Sequence, residues 1–185
     1  RGRLDDFIDV PVEVHAGGRA RMLRVNVAPT LPNGGFEGDA ADNRQADFWL
    51  KGLRDFAEPA EGRFCLALPP EGGGEAGAKC PYYAAENTAF LLPRTRYRLE
   101  LVYRYAGKSQ LYAKVIFFDE RNKLLGEKLL ALPPRWPFAW QEAALAFESP
   151  DYAGKAYFRL VNPDRADKGL TGWIDRVRLV ESAQP

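Results

Sequence analysis

Residues 97–105 read YRLELVYRY, and their alternation of large apolar residues with mostly polar ones decides the fold class. Side chains two residues apart lie on the same face of a β-strand, so this alternation predicts a strand with one buried face. The residues expected on the buried face are Tyr97, Leu99, Leu101, Tyr103 and Tyr105.

The same period of two recurs on both sides of this segment. No segment shows a sustained apolar pattern at helical spacing, although residues 45–57 are compatible with a short helix or a strand. Many short strands separated by turn-forming residues predict an all-β fold, an antiparallel β-sandwich or jelly roll. The further strand candidates are residues 64–68, 111–118, 124–132, 140–148, 155–161 and 172–180.

An N-terminal hairpin precedes this pattern. Residues 8–14 and 23–27 alternate in the same way around the turn formers of residues 16–19. Antiparallel pairing about the turn gives three apolar pairs, Val12 with Leu23, Val10 with Val25 and Ile8 with Val27. We expect residues 1–30 to form a hairpin packed on or preceding a sandwich of residues 31–185.

Composition argues against several classes of function. The 185 residues include 26 basic and 25 acidic ones, so a net charge of +1 gives no long-range field for phosphate backbones, and we expect no nucleic-acid partner. The single histidine, His15, argues against a Ser-His-Asp triad and against a zinc site with several histidines. It does not argue against an enzyme that uses a pair of carboxylates. No apolar run is long enough to span a bilayer. Because the sequence begins at Arg1 without a start methionine, we take it to be a processed chain or a fragment.

The two cysteines, Cys65 and Cys80, lie almost symmetrically about Gly72 and Gly73. A long hairpin turning at these glycines would place the thiols opposite each other, which is the geometry of a disulfide. Closing this loop would add roughly 3 kcal/mol of stability and would indicate an oxidising compartment. The alternative is two unlinked thiols.

Several motifs follow one another in an order shared with a known group of domains. They are Asn33-Gly34-Gly35-Phe36-Glu37, Trp49, Pro93-Arg94-Thr95-Arg96-Tyr97, Trp140 with Phe147-Glu148-Ser149-Pro150, and Trp173-Ile174-Asp175-Arg176-Val177-Arg178-Leu179. In this order they resemble the carbohydrate-binding modules of families four, nine and twenty-two, which are galactose-binding-like jelly rolls. The resemblance covers residues 31–181 and is more specific for the fold than for the ligand. The Asn-Gly-Gly turn is expected to supply a positive φ that few other residues tolerate.

The resemblance implies a non-catalytic module that binds a polysaccharide or oligosaccharide and belongs to a larger secreted carbohydrate-active protein. Its partners would include neighbouring domains of a parent enzyme, and its location would be extracellular, periplasmic or at the cell surface. Trp49, Trp140 and Trp173 match positions that usually pack the core. Glu37 and Asp175 match positions that often hold a structural Ca²⁺, and the alternative is that both carboxylates bind loop backbone without an ion.

Exposed aromatic rings stack on sugars, and polar side chains beside them bind the hydroxyls. Trp136 lies in the proline-stiffened segment 133–138, where a rigid loop lowers the ordering cost of binding. Tyr105 is expected to be exposed because it is near the end of its strand, whereas the pattern leaves the face of Tyr112 open. The remaining candidates are Arg104, which could reach sugar hydroxyls, and Tyr82 and Tyr83 beside the proposed disulfide. For each candidate, packing or a solvated surface is the alternative.

Two other functions compete with sugar binding. A structural or interaction β-sandwich would have no sugar site, and the test is whether Trp136, Tyr105 and Tyr112 share one exposed groove. A jelly-roll polysaccharide lyase or glycosidase would need carboxyl groups in a groove. The adjacent acids Asp119 and Glu120 lie in a polar turn, where a solvated hairpin is the simpler interpretation.

Overall fold

The structure is a computed structural model that describes residues 8–16, 19–27, 31–40, 43–51, 53–70, 85–108, 110–119, 121–151, 155–163 and 170–181, with the backbone alone for the first two ranges. These residues form eleven strands: β1 (Ile8–Ala16), β2 (Arg19–Val27), β3 (Leu53–Asp55), β4 (Cys65–Leu68), β5 (Ala85–Phe90), β6 (Arg96–Arg104), β7 (Leu111–Phe118), β8 (Leu124–Leu132), β9 (Gln141–Glu148), β10 (Lys155–Val161) and β11 (Gly172–Glu181). Within the described ranges, no helix has the length and apolar character needed to cross a membrane.

Nine strands form two antiparallel sheets whose apolar faces meet in one core. The larger sheet has the order β3-β4-β11-β6-β9, and the smaller one has the order β5-β10-β7-β8. From β4 onward the chain passes to the other sheet at each connection except β7–β8. The expected all-β antiparallel jelly roll is therefore confirmed.

Strand β6 shows how the period of two places side chains on the two faces of a sheet. The core-facing residues Tyr97, Leu99, Leu101 and Tyr103 are all buried, as the alternation predicts. The Tyr97 ring stacks on Phe147 of the neighbouring strand β9 with 5.8 Å between ring centroids. The opposite face of β6 carries the polar residues that concern function.

Tyr105 is buried, contrary to the expectation that the end of the strand exposes it. Its exposed fraction is 1%. A Cβ atom built on Gly172 would lie 3.2 Å from Tyr105 Cδ2, and the Tyr105 carbonyl accepts a hydrogen bond from the Arg135 N–H at 3.0 Å. The start of β11 therefore packs against this ring, and the segment before β9 binds the backbone of the same residue.

Strands β1 and β2 pair with each other as an antiparallel hairpin, in the register with Val12 opposite Leu23 and Val10 opposite Val25. They form a separate two-stranded sheet. The division of the chain at residue 30 into a hairpin extension and a sandwich stays a prediction.

The ambiguous segment 45–57 is neither a helix nor a long strand. Phe48 and Lys51 both have φ of 66°, and such left-handed residues interrupt a regular helix or strand. Strand β3 follows as a short edge strand paired with β4. Trp49 is held in the core, where its ring lies 5.2 Å from that of Phe36 and its indole N–H donates to the Asn33 carbonyl at 3.0 Å.

The turn after Pro32 needs a positive φ at one residue and a glycine at another. The Asn-Gly-Gly turn has the expected positive φ, which lies on Asn33 (52°), and Phe36 (58°) after the turn has another. Gly34 is needed for close approach, since a Cβ atom there would lie 1.7 Å from the carbonyl oxygen of Val177 in β11. The Val177 N–H also donates to the Gly34 carbonyl at 2.9 Å.

Cys65 is a free, buried thiol in the structure, in contrast to the expected disulfide. Its sulfur donates a weak hydrogen bond to the Asp55 carbonyl at 3.5 Å. Burial, followed by the nearby carboxylates of Asp55 and Asp175, raises the pKa of this thiol to about 12. Cys80, the expected disulfide partner, lies outside the described residues.

Candidate functional site

The candidate site is the outer face of the five-stranded sheet. Trp173 on β11 is paired with Ala67 on β4 and with Arg104 on β6, so these side chains form one row across the sheet. Their neighbours in sequence, such as Ile174, face the core. Trp140 and Trp173 therefore lie outside the core, contrary to the expectation that both pack inside it.

Three aromatic rings surround the guanidinium group of Arg104. Its central carbon lies 4.8 Å from the ring centroid of Phe138 and 5.1 Å from those of Trp140 and Trp173. Arg104 Nη1 also donates to the Glu58 carboxylate at 3.0 Å. Cation–π contacts and this ion pair enclose the charge, and the reach of Arg104 to sugar hydroxyls stays a prediction.

The two indole rings of this cluster are anchored by the end of β3 and by the loop that follows it. Trp140 Nε1 donates to the Glu58 carbonyl at 3.0 Å, and Trp173 Nε1 donates to Asp55 Oδ2 at 2.9 Å. Both rings are half-buried, and Phe138 meets Trp173 edge to face at 5.6 Å. The cluster is thus a pre-ordered aromatic surface with its outer part exposed.

Residues 56–64 form the loop between β3 and β4, which crosses the outer face. The loop is held by Glu37 and Asp175, the two carboxylates expected at a Ca²⁺ site. Asp175 Oδ2 accepts the N–H groups of Ala60 and Glu61 at 2.9 and 3.0 Å. Glu37 Oε1 accepts the N–H groups of residues 63 and 64 at 2.8 and 3.1 Å. Gly62 has φ of 69°, and a Cβ atom on it would lie 2.3 Å from Glu37 Oε1.

This donor set does not fit a calcium ion. Ca²⁺ takes six to eight oxygen ligands, whereas the backbone groups that meet Glu37 and Asp175 are N–H donors. The described residues contain no group of three or more Asp, Glu, His or Cys side chains that could hold a metal. Burial raises the pKa of Asp175 to about 6, with backbone hydrogen bonds opposing the shift and Glu37 adding to it. The contacts fit the alternative role, in which both carboxylates bind loop backbone.

A cleft of about 250 Å³ lies on the other side of this loop from the aromatic cluster. Its walls carry Arg98, Glu100, Glu142, Arg176 and Arg178, and Val102 and Ala144 lie between them. In β11, the pairing changes from Asp175 with Val102 to Arg178 with Glu100, so one extra residue forms a β-bulge. Arg176, at this bulge, has φ of 52°.

The residues proposed as ligand contacts are not brought together. Trp136 is 85% exposed in the loop between β8 and β9. Tyr105 is buried, and Tyr112 is half-buried on β7 in the other sheet, where its hydroxyl accepts a hydrogen bond from Gln110 Nε2 at 2.9 Å. Tyr82 and Tyr83 lie outside the described residues.

Sequence reasoning missed Phe138 and the cleft arginines. Phe138 occurs two residues after Trp136 in the same proline-rich segment, which was a signal for a shared aromatic surface. Arg176 and Arg178 were hidden by the bulge. The signal was the spacing of the apolar residues Ile174 and Val177, which are three apart and not two.

Comparison with known proteins supports the fold. The structure matches one titled "Family 16 Carbohydrate Binding Module-2" with a TM-score of 0.50 and 16% identity, covering 82% of this chain and 90% of that chain. The chain has the fold of a jelly-roll carbohydrate-binding module. No family model and no curated protein matches the sequence.

Two further matches are to parts of longer chains. The enzymatically active domain of tailspike protein 4 of bacteriophage CBA120 gives a TM-score of 0.58 and 13% identity, covering 83% of this chain but 21% of that chain. An arabinose-bound α-L-arabinofuranosidase, MgGH51, gives 0.52 and 14%, covering 82% of this chain and 26% of that chain. These similarities show the fold alone.

Proposed function

We propose that this domain binds a polysaccharide or oligosaccharide without catalysing a reaction, on the outer face of the five-stranded sheet. The observation that carries the proposal is the pre-ordered aromatic surface there. Phe138 is 39% exposed against Trp173, and Trp136 is exposed in the same loop. Rings that are already fixed lose little conformational entropy when a sugar stacks on them. The stacking contacts therefore contribute nearly their full free energy to binding.

The domain is an accessory module of a larger, secreted carbohydrate-active protein. The two longer matching chains support this part of the proposal, because this fold accounts for 21% and 26% of their lengths. Neighbouring domains of the parent protein are therefore its partners, and its location is extracellular, periplasmic or at the cell surface.

The contacts of Asp119 support a non-catalytic role for this domain. Asp119 Oδ1 accepts the N–H groups of Arg121 and Lys123, both at 2.8 Å, as expected for a turn residue. In the cleft, Glu100 is 3.0 Å from Arg98 Nε. These acids thus have structural partners.

An interaction domain without a sugar site is the second candidate. The separation of Tyr105, Tyr112 and Trp136 favours it, since the tyrosines and Trp136 share no exposed groove.

Affinity gel electrophoresis against a panel of plant and microbial polysaccharides separates the two candidates. We expect retention by at least one polysaccharide and a loss of affinity of about twofold to tenfold in Trp136→Ala, as for the loss of one aromatic contact. Leu124→Ala is the matched control, because Leu124 is 56% exposed on the other sheet. Lack of retention of the wild-type protein by every polysaccharide would refute the proposal and favour an interaction domain.

A further inference from the structure

We infer that Arg104 is a positioning residue, which holds the rings of the aromatic cluster in place without touching a ligand. Its guanidinium group sets the arrangement of Phe138, Trp140 and Trp173 that a ligand meets. The inference rests on the proposed function, because it names a residue that shapes the surface on which that function depends.

Arg104 joins segments that are far apart in the chain. It is the last residue of β6 and is paired with Trp173 on β11. Phe138 and Trp140 come from the connection between β8 and β9. The loop between β3 and β4 supplies Ala57, whose carbonyl accepts a hydrogen bond from Arg104 Nη2 at 2.6 Å. One side chain therefore contacts β11, the β8–β9 connection and the β3–β4 loop.

The guanidinium group is buried, and the hydrogen bonds it donates go to the loop. Arg104 is 6% exposed. Its Nη1 donates to the Glu58 carboxylate at 3.0 Å, and among the described residues its Nε has no hydrogen-bond partner. A buried charge with so few polar partners is stabilised by the ring faces around it. A ligand on the outer surface would have to displace the rings or the loop before it reached this group.

The other contacts of the rings do not fix them fully. Nε1 of each indole donates one hydrogen bond, to the loop or to the end of β3, and this bond holds one edge of the ring. Phe138 has no polar side-chain atom, so Arg104 and an edge-to-face contact with Trp173 hold its ring. Phe138 is 39% exposed, whereas both indoles are half-buried. We therefore expect loss of the guanidinium group to displace Phe138 most.

Arginine suits this role better than lysine. The guanidinium group is planar, stacks on aromatic faces and presents five N–H donors in fixed directions, whereas the lysine ammonium is compact and strongly hydrated. The planar group can therefore lie over the rings while it donates to Ala57 and Glu58.

Arg104→Met tests the inference, because it removes the guanidinium group and retains an unbranched apolar side chain. The measurements are near-UV circular dichroism of the free protein and affinity gel electrophoresis with β-1,4-xylan, β-1,4-mannan and β-1,3-glucan. We expect the tryptophan bands to weaken and the affinity to fall about tenfold, since three ring contacts are disturbed together. Unchanged tryptophan bands with a lower affinity would overturn the inference, because that result describes direct contact with the ligand. Changed bands with an unchanged affinity would overturn it as well.

Arg159→Met is the matched control. Arg159 lies on β10 in the other sheet, where it forms an ion pair with Glu86 and its guanidinium carbon is 5.8 Å from the ring centroid of Tyr157. Its replacement should change neither the tryptophan bands nor the affinity. Arg104→Lys is a second variant, which keeps the buried charge and should show both changes to a smaller extent. Thermal melting followed by far-UV circular dichroism checks that each variant folds.

A double-mutant cycle with Phe138→Ala separates positioning from direct contact by a second route. If Arg104 acts through the ring of Phe138, Arg104→Met weakens binding less in the Phe138→Ala protein than in the wild type. Additive losses of affinity would contradict the inference.

The failures of the two proposals are distinguishable. If the wild-type protein binds a polysaccharide and Arg104→Met changes neither measurement, the positioning role is wrong and the proposed function stands. If the wild-type protein is retained by none of these polysaccharides and by no other member of the panel, the proposed function fails and the inference with it.

Discussion

Replacing Gly34 by alanine should unfold the domain at much lower temperature or denaturant concentration than the same change at Gly35. The added Cβ atom at Gly34 would lie 1.7 Å from the carbonyl oxygen of Val177 and 2.8 Å from its carbonyl carbon. Both are backbone atoms of β11, so relief requires the turn and the strand to separate. At Gly35, no atom lies within 4 Å of the new Cβ.

The cost at Gly34 has two sources. Separation breaks the 2.9 Å hydrogen bond from the Val177 N–H to the Gly34 carbonyl, which contributes about 1 kcal/mol. It also displaces the buried Val177 side chain, and strain of this kind in a core typically costs about 1–3 kcal/mol. We therefore expect Gly34→Ala to lose about 2–4 kcal/mol of unfolding free energy, or roughly 4–16 °C in Tm for a domain of this size.

The assay is urea unfolding followed by tryptophan fluorescence, with scanning calorimetry for the Tm. Gly35→Ala is the control: the glycine is exposed, and restricting the unfolded chain there should change stability by about 1 kcal/mol or less. If the two variants were equally stable, the close approach of the turn to β11 would not be a requirement of the fold.

The remaining predictions concern the carboxylates and the cysteines. Burial raises the pKa of Asp175 to about 6 from its ordinary 3.8, so its stabilising effect is complete below about pH 3.8 and is lost as the pH rises through 6. Relative to Asp175→Asn, the wild type should lose up to about 3 kcal/mol between pH 4 and 7, measured by urea unfolding, and a constant difference would contradict this. Adding Ca²⁺ or a chelator should leave the Tm unchanged, because Glu37 and Asp175 bind N–H groups. A rise in Tm on adding Ca²⁺ would contradict this assignment. Cys65 should react with Ellman's reagent in denaturant but not in the native protein at pH 8, since the thiol is buried with a pKa of about 12. Failure of the denatured, unreduced protein to react would instead indicate the disulfide with Cys80.

The strand pattern was largely predictable because burial on one face enforces a period of two. The segments 111–118, 124–132 and 155–161 coincide with β7, β8 and β10. Strand β3 was not predicted as a separate strand because it has only three residues. Such a short segment shows no period.

The candidate site was less predictable because its residues depend on long-range packing. Trp136 was placed in an exposed loop by its proline neighbours, and it is exposed. The burial of Tyr105 depends on Gly172, which is 67 positions later in the chain. The alternation at Arg104 placed it on the polar face, but no local pattern shows that three rings and a loop enclose it.

The bulge in β11 gives the protein a position that can change without shifting the strand. If Arg176 were deleted, Ile174, Val177 and Leu179 would fall two apart and still face the core. We therefore expect the fold to tolerate the absence of this residue, whose left-handed φ of 52° costs about 1–2 kcal/mol. Arg176 is therefore a suitable first position for directed evolution of the cleft. Its replacement or removal is expected to leave the core-facing pattern of β11 unchanged.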